Sequence, residues 1–230
     1  MTQSPTRAIL FDLDDTLYPE RSYFESGVAA VADFVAGPDS GRRQAWRERL
    51  VADVRANGRD GFLDRIPTPT GRSEGWVCLL LQVYRTHRPT LNPFPDVAPF
   101  LARARLDGIR VGLVTDGRSY VQRRKLEALD LPGRLEAIVC TEELDLPKPA
   151  VESFIVAAAL LGVAPETCVY IADDPSKDFI GPRKLGMSTI HLRRPLPHTI
   201  ARPAPGPEAE AHERVATLAE AAELIFGGAP

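Results

Sequence analysis

Four times along the chain a short apolar run breaks off into a cluster of Asp, Thr or Glu, and this repeated pattern constrains the fold more than any other feature. Ala8-Ile9-Leu10-Phe11 runs into Asp12-Leu13-Asp14-Asp15-Thr16, and Val111-Gly112-Leu113-Val114 runs into Thr115-Asp116-Gly117. Ala137-Ile138-Val139-Cys140 meets Thr141-Glu142-Glu143, and Cys168-Val169-Tyr170-Ile171-Ala172 meets Asp173-Asp174-Pro175. Short runs rich in Val and Ile, without polar alternation, suit strands buried on both faces of a parallel sheet. Ser188-Thr189-Ile190-His191-Leu192 is a fifth candidate for the same sheet. Between the runs, residues 97–107, 120–129, 151–161 and 175–185 show apolar spacing close to the helical repeat, so strands and helices alternate. The pattern predicts an α/β chain with a doubly wound, Rossmann-like parallel sheet. Parallel strands joined by right-handed crossovers all point one way, so the polar clusters gather along one edge, where open α/β sheets hold ligands. That step brings Asp12, Asp14, Thr115 and Asp173 together although they are far apart in sequence.

One interval breaks the alternation. From Tyr18 to Pro93 no run of the same type occurs, and the stretch reads as helices around 22–36, 42–56 and 74–87. Breakers at 65–72 (RIPTPTGR) and 88–95 (RPTLNPFP) mark turns and hinges. Residues 18–93 are therefore expected to form an inserted helical domain, and residues 1–17 with 94–230 the α/β core. A length of 230 residues, above the roughly 100–150 usual for one core, leaves room for such an insertion. Near the end, 193–210 is Pro-rich and reads as an exposed loop, and 213–226 resumes helical spacing.

Charge and composition narrow the function classes. With 28 Lys+Arg against 31 Asp+Glu the net charge is −3, which offers no polybasic field, so neither nucleic acid nor a membrane surface is expected as a partner. The arginines at 42, 43, 47, 49, 55 and 59 alternate with Glu48 and Asp53 and read as a solvated helix face. Before Asp12 the apolar run is too short for a secretory signal or a membrane span, and a cytoplasmic location is expected. Cys78, Cys140 and Cys168 lie far apart without CxxC spacing and read as buried, reduced thiols. The four histidines, His87, His191, His198 and His212, show no HxH or HExxH spacing, which disfavours zinc.

Carboxylates at the end of a buried strand are costly unless something cationic offsets them. An all-oxygen set in which Asp12 and Asp14 are joined by Asp173 and Asp178 suits Mg²⁺. A carboxylate beside such an ion can attack phosphorus, which makes Asp12 the candidate nucleophile. Asp14, protonated near the leaving oxygen, is placed to act as acid and then as base for the attacking water. Charge developing on the phosphoryl oxygens calls for fixed donors, namely Thr115, the backbone N–H groups that follow it at Asp116, and one lysine.

Taken together these residues resemble the haloacid dehalogenase-like superfamily of phosphohydrolases, whose four motifs occur in order. Phe11-Asp12-Leu13-Asp14-Asp15-Thr16-Leu17 matches DxDxT, and Leu113-Val114-Thr115-Asp116-Gly117 supplies the Thr after a strand. Pro147-Lys148-Pro149, followed by Phe154, supplies the lysine, and Ala172-Asp173-Asp174-Pro175-Ser176-Lys177-Asp178 the acidic pair. The resemblance implies that Asp12 is the nucleophile and Asp14 the acid/base, with the Asp14 backbone carbonyl on the metal. It implies that Thr115 and Lys148 bind the phosphoryl group, that Asp173 ligates Mg²⁺ and that Asp178 supports the ligand shell. The insertion matches the helical cap of the first cap class. Ala172 departs from the Gly common at that place. Asp14 favours phosphate esters over the halide and phosphonate substrates of relatives that lack an acid there. Tyr18, Arg21 and Tyr23, directly after the catalytic loop, are candidate substrate contacts.

Each feature has a structural alternative. Asp12 and Asp14 could cap a helix, Thr115-Asp116-Gly117 alone is a turn signal, and an isolated Lys148 would be a solvated lysine. Asp174 and Asp178 could serve the helix expected from Pro175, and Phe62, Trp76 and Tyr84 could fill a small core instead of stacking on substrate. The functional expectation is a phosphatase of a small phosphate ester, such as a sugar phosphate or nucleoside monophosphate. A phosphosugar mutase with the same catalytic set, and a non-catalytic binding protein on this fold, are the alternatives.

Overall fold

A computed structural model describes residues 6–69, 74–195 and 203–227. The predicted loops at 65–72 and 193–210 lie partly outside the described residues, as does His198. The chain divides into two compact units, Met1–Glu20 with Asn92–Pro230, and Arg21–Leu91.

Among the described residues, six strands form one sheet: β1 (Ala8–Phe11), β2 (Arg110–Thr115), β3 (Ala137–Cys140), β4 (Cys168–Ala172), β5 (Ser188–Leu192) and β6 (Glu213–Val215). Their spatial order is β3-β2-β1-β4-β5-β6, and every neighbouring pair is parallel. The first strand is thus central, with Phe11 level with Leu113 on one side and Ile171 on the other. All four β1 residues and all five of β4 are buried, which is why neither strand shows polar alternation. Strand order turns in opposite directions on either side of β1, a doubly wound arrangement whose ligand crevice lies beyond the carboxyl ends of β1 and β4.

Helices α4 (Val97–Leu106), α5 (Ser119–Ala128), α6 (Glu152–Leu160), α7 (Ile180–Lys184) and α8 (Leu218–Phe226) flank the sheet. Against one face, Leu10, Val114, Val139 and Tyr170 pack with Phe154, Ala157 and Leu161 of the α6 region. Phe11 meets Phe100 of α4 edge-on at 5.6 Å, and Phe100 in turn packs on Phe226 of α8. At Gly112 a Cβ would come within 2.9 Å of the Leu10 side chain and 3.2 Å of Ala137, so only glycine lets β2 sit this close to its neighbours' side chains.

Two element boundaries expected from the sequence are corrected. The helix expected over 175–185 begins only at Ile180, because the preceding residues hydrogen-bond locally. Asp174 Oδ1 accepts from the Ser176 N–H and hydroxyl, and Asp178 Oδ2 accepts from the Asp174 N–H. The segment 213–226, expected as one helix, opens with the edge strand β6 and becomes helical only after Thr217, whose side chain accepts from Glu220 N.

The Arg21–Leu91 unit is built from α1 (Glu20–Ala36), α2 (Ser40–Asn57) and α3 (Glu74–Thr86). Its core holds Val28, Val31, Leu50, Phe62, Leu63, Ile66 and Leu80, with Trp76 and Tyr84 packed against it. Phe62, Trp76 and Tyr84 therefore take the core role rather than forming an open aromatic surface. Arg47 pairs with Asp33 at 2.6 Å on the solvated side of α2. Cys140 and Cys168 are buried as expected, whereas Cys78 lies on the outward face of α3 and is exposed. Among the described residues no helix is long and apolar enough to cross a membrane.

Candidate active site

Asp12 is the residue immediately after β1, and its N–H continues the ladder to Ile171 O at 3.0 Å, so its backbone position is set by the sheet. The chain then turns through Asp15, whose φ of 52° is in the left-handed region that Asp tolerates better than most residues, and Leu17 N closes the turn on Leu13 O at 3.0 Å. Asp173 follows β4, next to β1, and Thr115 ends β2 on the other side. All four polar clusters expected at the carboxyl edge of the sheet follow the carboxyl ends of its parallel strands, the fourth being Thr141 after β3.

Asp12, Asp173 and Asp178 offer carboxylate oxygens that all lie within 4.8 Å of one another. The fully buried Lys148 ammonium sits among them, donating to Asp12 Oδ1 at 2.6 Å, Asp178 Oδ1 at 2.6 Å and the Tyr170 hydroxyl at 3.1 Å. Burial pushes the Asp12 carboxyl up to about 6, with Lys148 opposing and Asp178 adding to the rise. Asp173 is pushed up to about 9 by burial and by the charges of Asp12 and Asp178. Burial alone would lower Lys148, but Asp12 and Asp178 reverse this and hold its ammonium well above the usual lysine range. Asp173 can ionise beside Asp12 and Asp178 at neutral pH only if a further cation offsets the three carboxylates, and the donor set is oxygen only. Such a set fits a hard divalent cation.

Asp14 lies outside that cluster, and its side chain is occupied elsewhere. Lys125 donates to Oδ1 at 2.7 Å and Oδ2 at 2.9 Å, the Tyr18 hydroxyl donates to Oδ1, and Gln122 donates to Oδ2 at 3.1 Å. Burial raises the Asp14 carboxyl, but Lys125 and these donors outweigh it and hold the group below the usual carboxylate range. In the free site Asp14 is thus a carboxylate with hydrogen bonds to both oxygens. Thr115, itself buried, accepts from Gln122 Nε2 at 2.6 Å.

The Asp116 side chain ties neighbouring loops together. Its Oδ1 accepts from the Thr141 hydroxyl at 2.8 Å and the Lys148 N–H at 3.1 Å, and its Oδ2 from Lys177 Nζ at 3.3 Å. With its carboxylate so engaged, what Asp116 can present to an anion is its backbone N–H. Gly117, at φ 113°, makes the turn into α5, whose first N–H, at Ser119, is capped by Glu142 Oε2 at 2.7 Å.

The remaining candidates fall apart from one another. Tyr18 is fully buried in the Asp14 network. Arg21 is half-buried and paired with Glu25 at 2.6 Å. Tyr23 is turned into the Arg21–Leu91 unit, where its ring meets Tyr84 edge-on at 5.7 Å and its hydroxyl bonds Tyr84 O. Sequence reasoning missed Gln122, Lys125, Tyr170 and Lys177. The available signal was on α5, where Gln122 and Lys125 share the helix face of Val121 and Leu126.

The chain belongs to the haloacid dehalogenase-like hydrolase family, whose model matches residues 6–186, and it is an enzyme of that hydrolase class. It is 33% identical over 200 residues to a glyceraldehyde 3-phosphate phosphatase of Methanopyrus kandleri, covering 82% of this chain and 84% of the relative. It is also 32% identical to the N-acylneuraminate-9-phosphatase of Rattus norvegicus, covering 86% and 90%. Among solved structures, a HAD phosphatase from Thermococcus onnurineus shares the fold with a TM-score of 0.63 at 24% identity, covering 97% of this chain and 99% of that one. The HAD-hydrolase YfnB of Bacillus subtilis shares it with a TM-score of 0.68 at 18% identity, covering 96% and 99%.

Proposed function

We propose that this chain is a Mg²⁺-dependent phosphatase of a small phosphate monoester, with a phosphorylated sugar or polyol as the preferred class. The observation that carries the reading is the position of Asp12. It is a buried carboxylate at the end of the central strand, held at 2.6 Å by Lys148 and within 4.8 Å of Asp173 and Asp178. The names of the relatives, among them phosphatases of glyceraldehyde 3-phosphate and of N-acylneuraminate 9-phosphate, support the substrate class.

In this reading an Asp12 carboxylate oxygen forms a bond to phosphorus while the bond from phosphorus to the ester oxygen breaks, leaving a phosphoryl group on Asp12. The departing oxygen takes its proton from Asp14, which is ionised in the free site and first takes that proton up from solvent as the substrate binds. Water then attacks phosphorus and gives a proton to Asp14, the bond to Asp12 breaks, and inorganic phosphate leaves. Lys148, Thr115 and the Asp116 N–H are assigned to the phosphoryl oxygens, where charge grows. Asp12, Asp173 and the Asp14 carbonyl would hold Mg²⁺, with Asp178 supporting them. When bound, the ion would neutralise the phosphoryl charge and lessen the repulsion between an anionic nucleophile and an anionic substrate. The inserted helical domain is assigned the role of a cap that selects the leaving group.

The test is turnover of an aryl phosphate and of a panel of sugar phosphates by wild type and Asp12→Asn. Wild type is expected to release phosphate, to stop on chelation and to recover with Mg²⁺, while Asp12→Asn folds but loses at least about a thousandfold in kcat. Substantial turnover by Asp12→Asn removes Asp12 as nucleophile, and indifference to chelation removes the metal. Release of free phosphate, rather than an isomeric sugar phosphate, separates hydrolysis from mutase chemistry.

A further inference from the structure

We infer that Lys125 and Gln122 are positioning residues that hold the Asp14 carboxylate in register with Thr115, so that proton delivery and phosphoryl binding share one fixed geometry. The inference rests on the roles proposed above for Asp14 and Thr115.

The two side chains lie three residues apart on α5 and so project from one face of the helix. That face is buried, with Lys125 5% and Gln122 2% exposed. Val121 and Leu126 are buried on the same helix and supply apolar packing there. A buried ammonium is costly and uncommon, so its presence calls for something an apolar side chain cannot supply. What it supplies is direction.

A carboxylate has about four acceptor directions. In Asp14 Oδ1 receives the Tyr18 hydroxyl and Lys125, and Oδ2 receives Lys125 and Gln122. Contact from Lys125 to both oxygens fixes the rotation of the carboxylate plane, and the flanking donors fix its tilt. The same Gln122 nitrogen reaches Thr115 Oγ1 at 2.6 Å and Asp14 Oδ2 at 3.1 Å. One amide nitrogen therefore sets the spacing between the hydroxyl assigned to the phosphoryl group and the carboxylate assigned to its leaving oxygen. A displacement of either oxygen would move the proton carrier relative to the bond that breaks.

Leaving-group dependence tests the inference. An activated aryl phosphate such as 4-nitrophenyl phosphate departs without needing a proton, whereas an alkyl phosphate such as glycerol 3-phosphate needs one. For Lys125→Met and Gln122→Leu the loss of kcat on the alkyl ester is expected to exceed that on the aryl ester by at least about tenfold. KM should change by less than about threefold on both, and Lys125→Arg should recover part of the alkyl activity. Equal losses on the two esters, or no loss, overturn the inference and leave a structural attachment of α5. If Lys125→Met shows no cooperative unfolding, Gln122→Leu, which removes no charge, decides alone. A wild type that accepts aryl but no alkyl phosphate from a broad panel has no proton delivery to position and overturns it as well. A wild type that hydrolyses neither kind of ester defeats the phosphatase reading itself.

Discussion

The Lys148 ammonium directs its three N–H groups to Asp12, Asp178 and the Tyr170 hydroxyl, all at 3.1 Å or less, and it is fully buried. Removing such a cation leaves two buried carboxylates facing each other, which costs far more than the net worth of the original pair. Lys148→Met is expected to destabilise the fold by about 3–5 kcal/mol in urea unfolding. Adding Asp178→Asn should restore part of that loss, because one of the stranded charges is gone. Additive losses in the double variant would show that the two groups are not coupled. Asp12 and Asp173 were legible in the sequence because each ends an apolar run, where a polar residue is conspicuous, and Asp14 and Asp178 followed from the motifs that those two begin. Lys125 and Gln122 were not, because a Lys and a Gln on a helix are ordinarily solvated, and only their phase relative to Val121 and Leu126 marks them. Tyr170 was hidden for the opposite reason: inside an apolar strand its ring reads as core, although its hydroxyl meets Lys148.

Among the elements, the short helix α7 places the Lys148 segment through one residue. A Cβ on Gly181 would lie 2.7 Å from Pro149 O and 3.0 Å from the Phe154 ring, so glycine allows α7 to lie against the backbone that follows Lys148. Gly181→Ala is expected to cost about 1–3 kcal/mol through this overlap and to lower aryl phosphate turnover in the same variant, since Pro149 carries Lys148 with it. Wild-type stability and turnover in Gly181→Ala would show that the gap accommodates a methyl group. Four of the five strands read from the sequence are buried runs with a sharp polar end, and the fifth, Ser188–Leu192, formed as well. The late start of α7 was not legible from periodicity, which cannot register that Asp174 and Asp178 bond their own loop instead of a helix. Strand β6 has only three residues, too few to show a period of two, but the capping box at its end could have been read. Thr217 accepts from Glu220 N, and Glu220 Oε2 accepts from Ala216 N, which marks the helix start after the strand.

Across the α/β unit as a whole, Arg194 joins distant parts of the chain. It donates to both Asp96 oxygens at 2.9 and 3.0 Å and to Thr16 O at 3.0 Å, while Asp96 Oδ2 also accepts from Leu218 N at 2.9 Å. Burial raises the Asp96 carboxyl, but Arg194 and the Leu218 N–H outweigh it and hold the group below its ordinary value of 3.8. A depressed carboxyl stabilises the fold fully above the ordinary value and loses that contribution as pH falls through the depressed one. Asp96→Asn is therefore expected to unfold about 1–3 kcal/mol more easily at neutral pH, with the gap to wild type closing in acid. A gap that does not depend on pH, followed by thermal unfolding across the acid range, would assign the effect to packing alone.

The central place of β1 bears on how the enzyme comes into being. Ala8–Phe11 is made before both of its ladder neighbours, Arg110–Thr115 and Cys168–Ala172. A chain emerging from the ribosome must hold its first strand unmated until much of the polypeptide has been synthesised. Asp12 thus gains its companions Lys148, Asp173 and Asp178 only after those later segments have been made, so a product cut short before Lys148 would hold Asp12 without the ammonium that engages it.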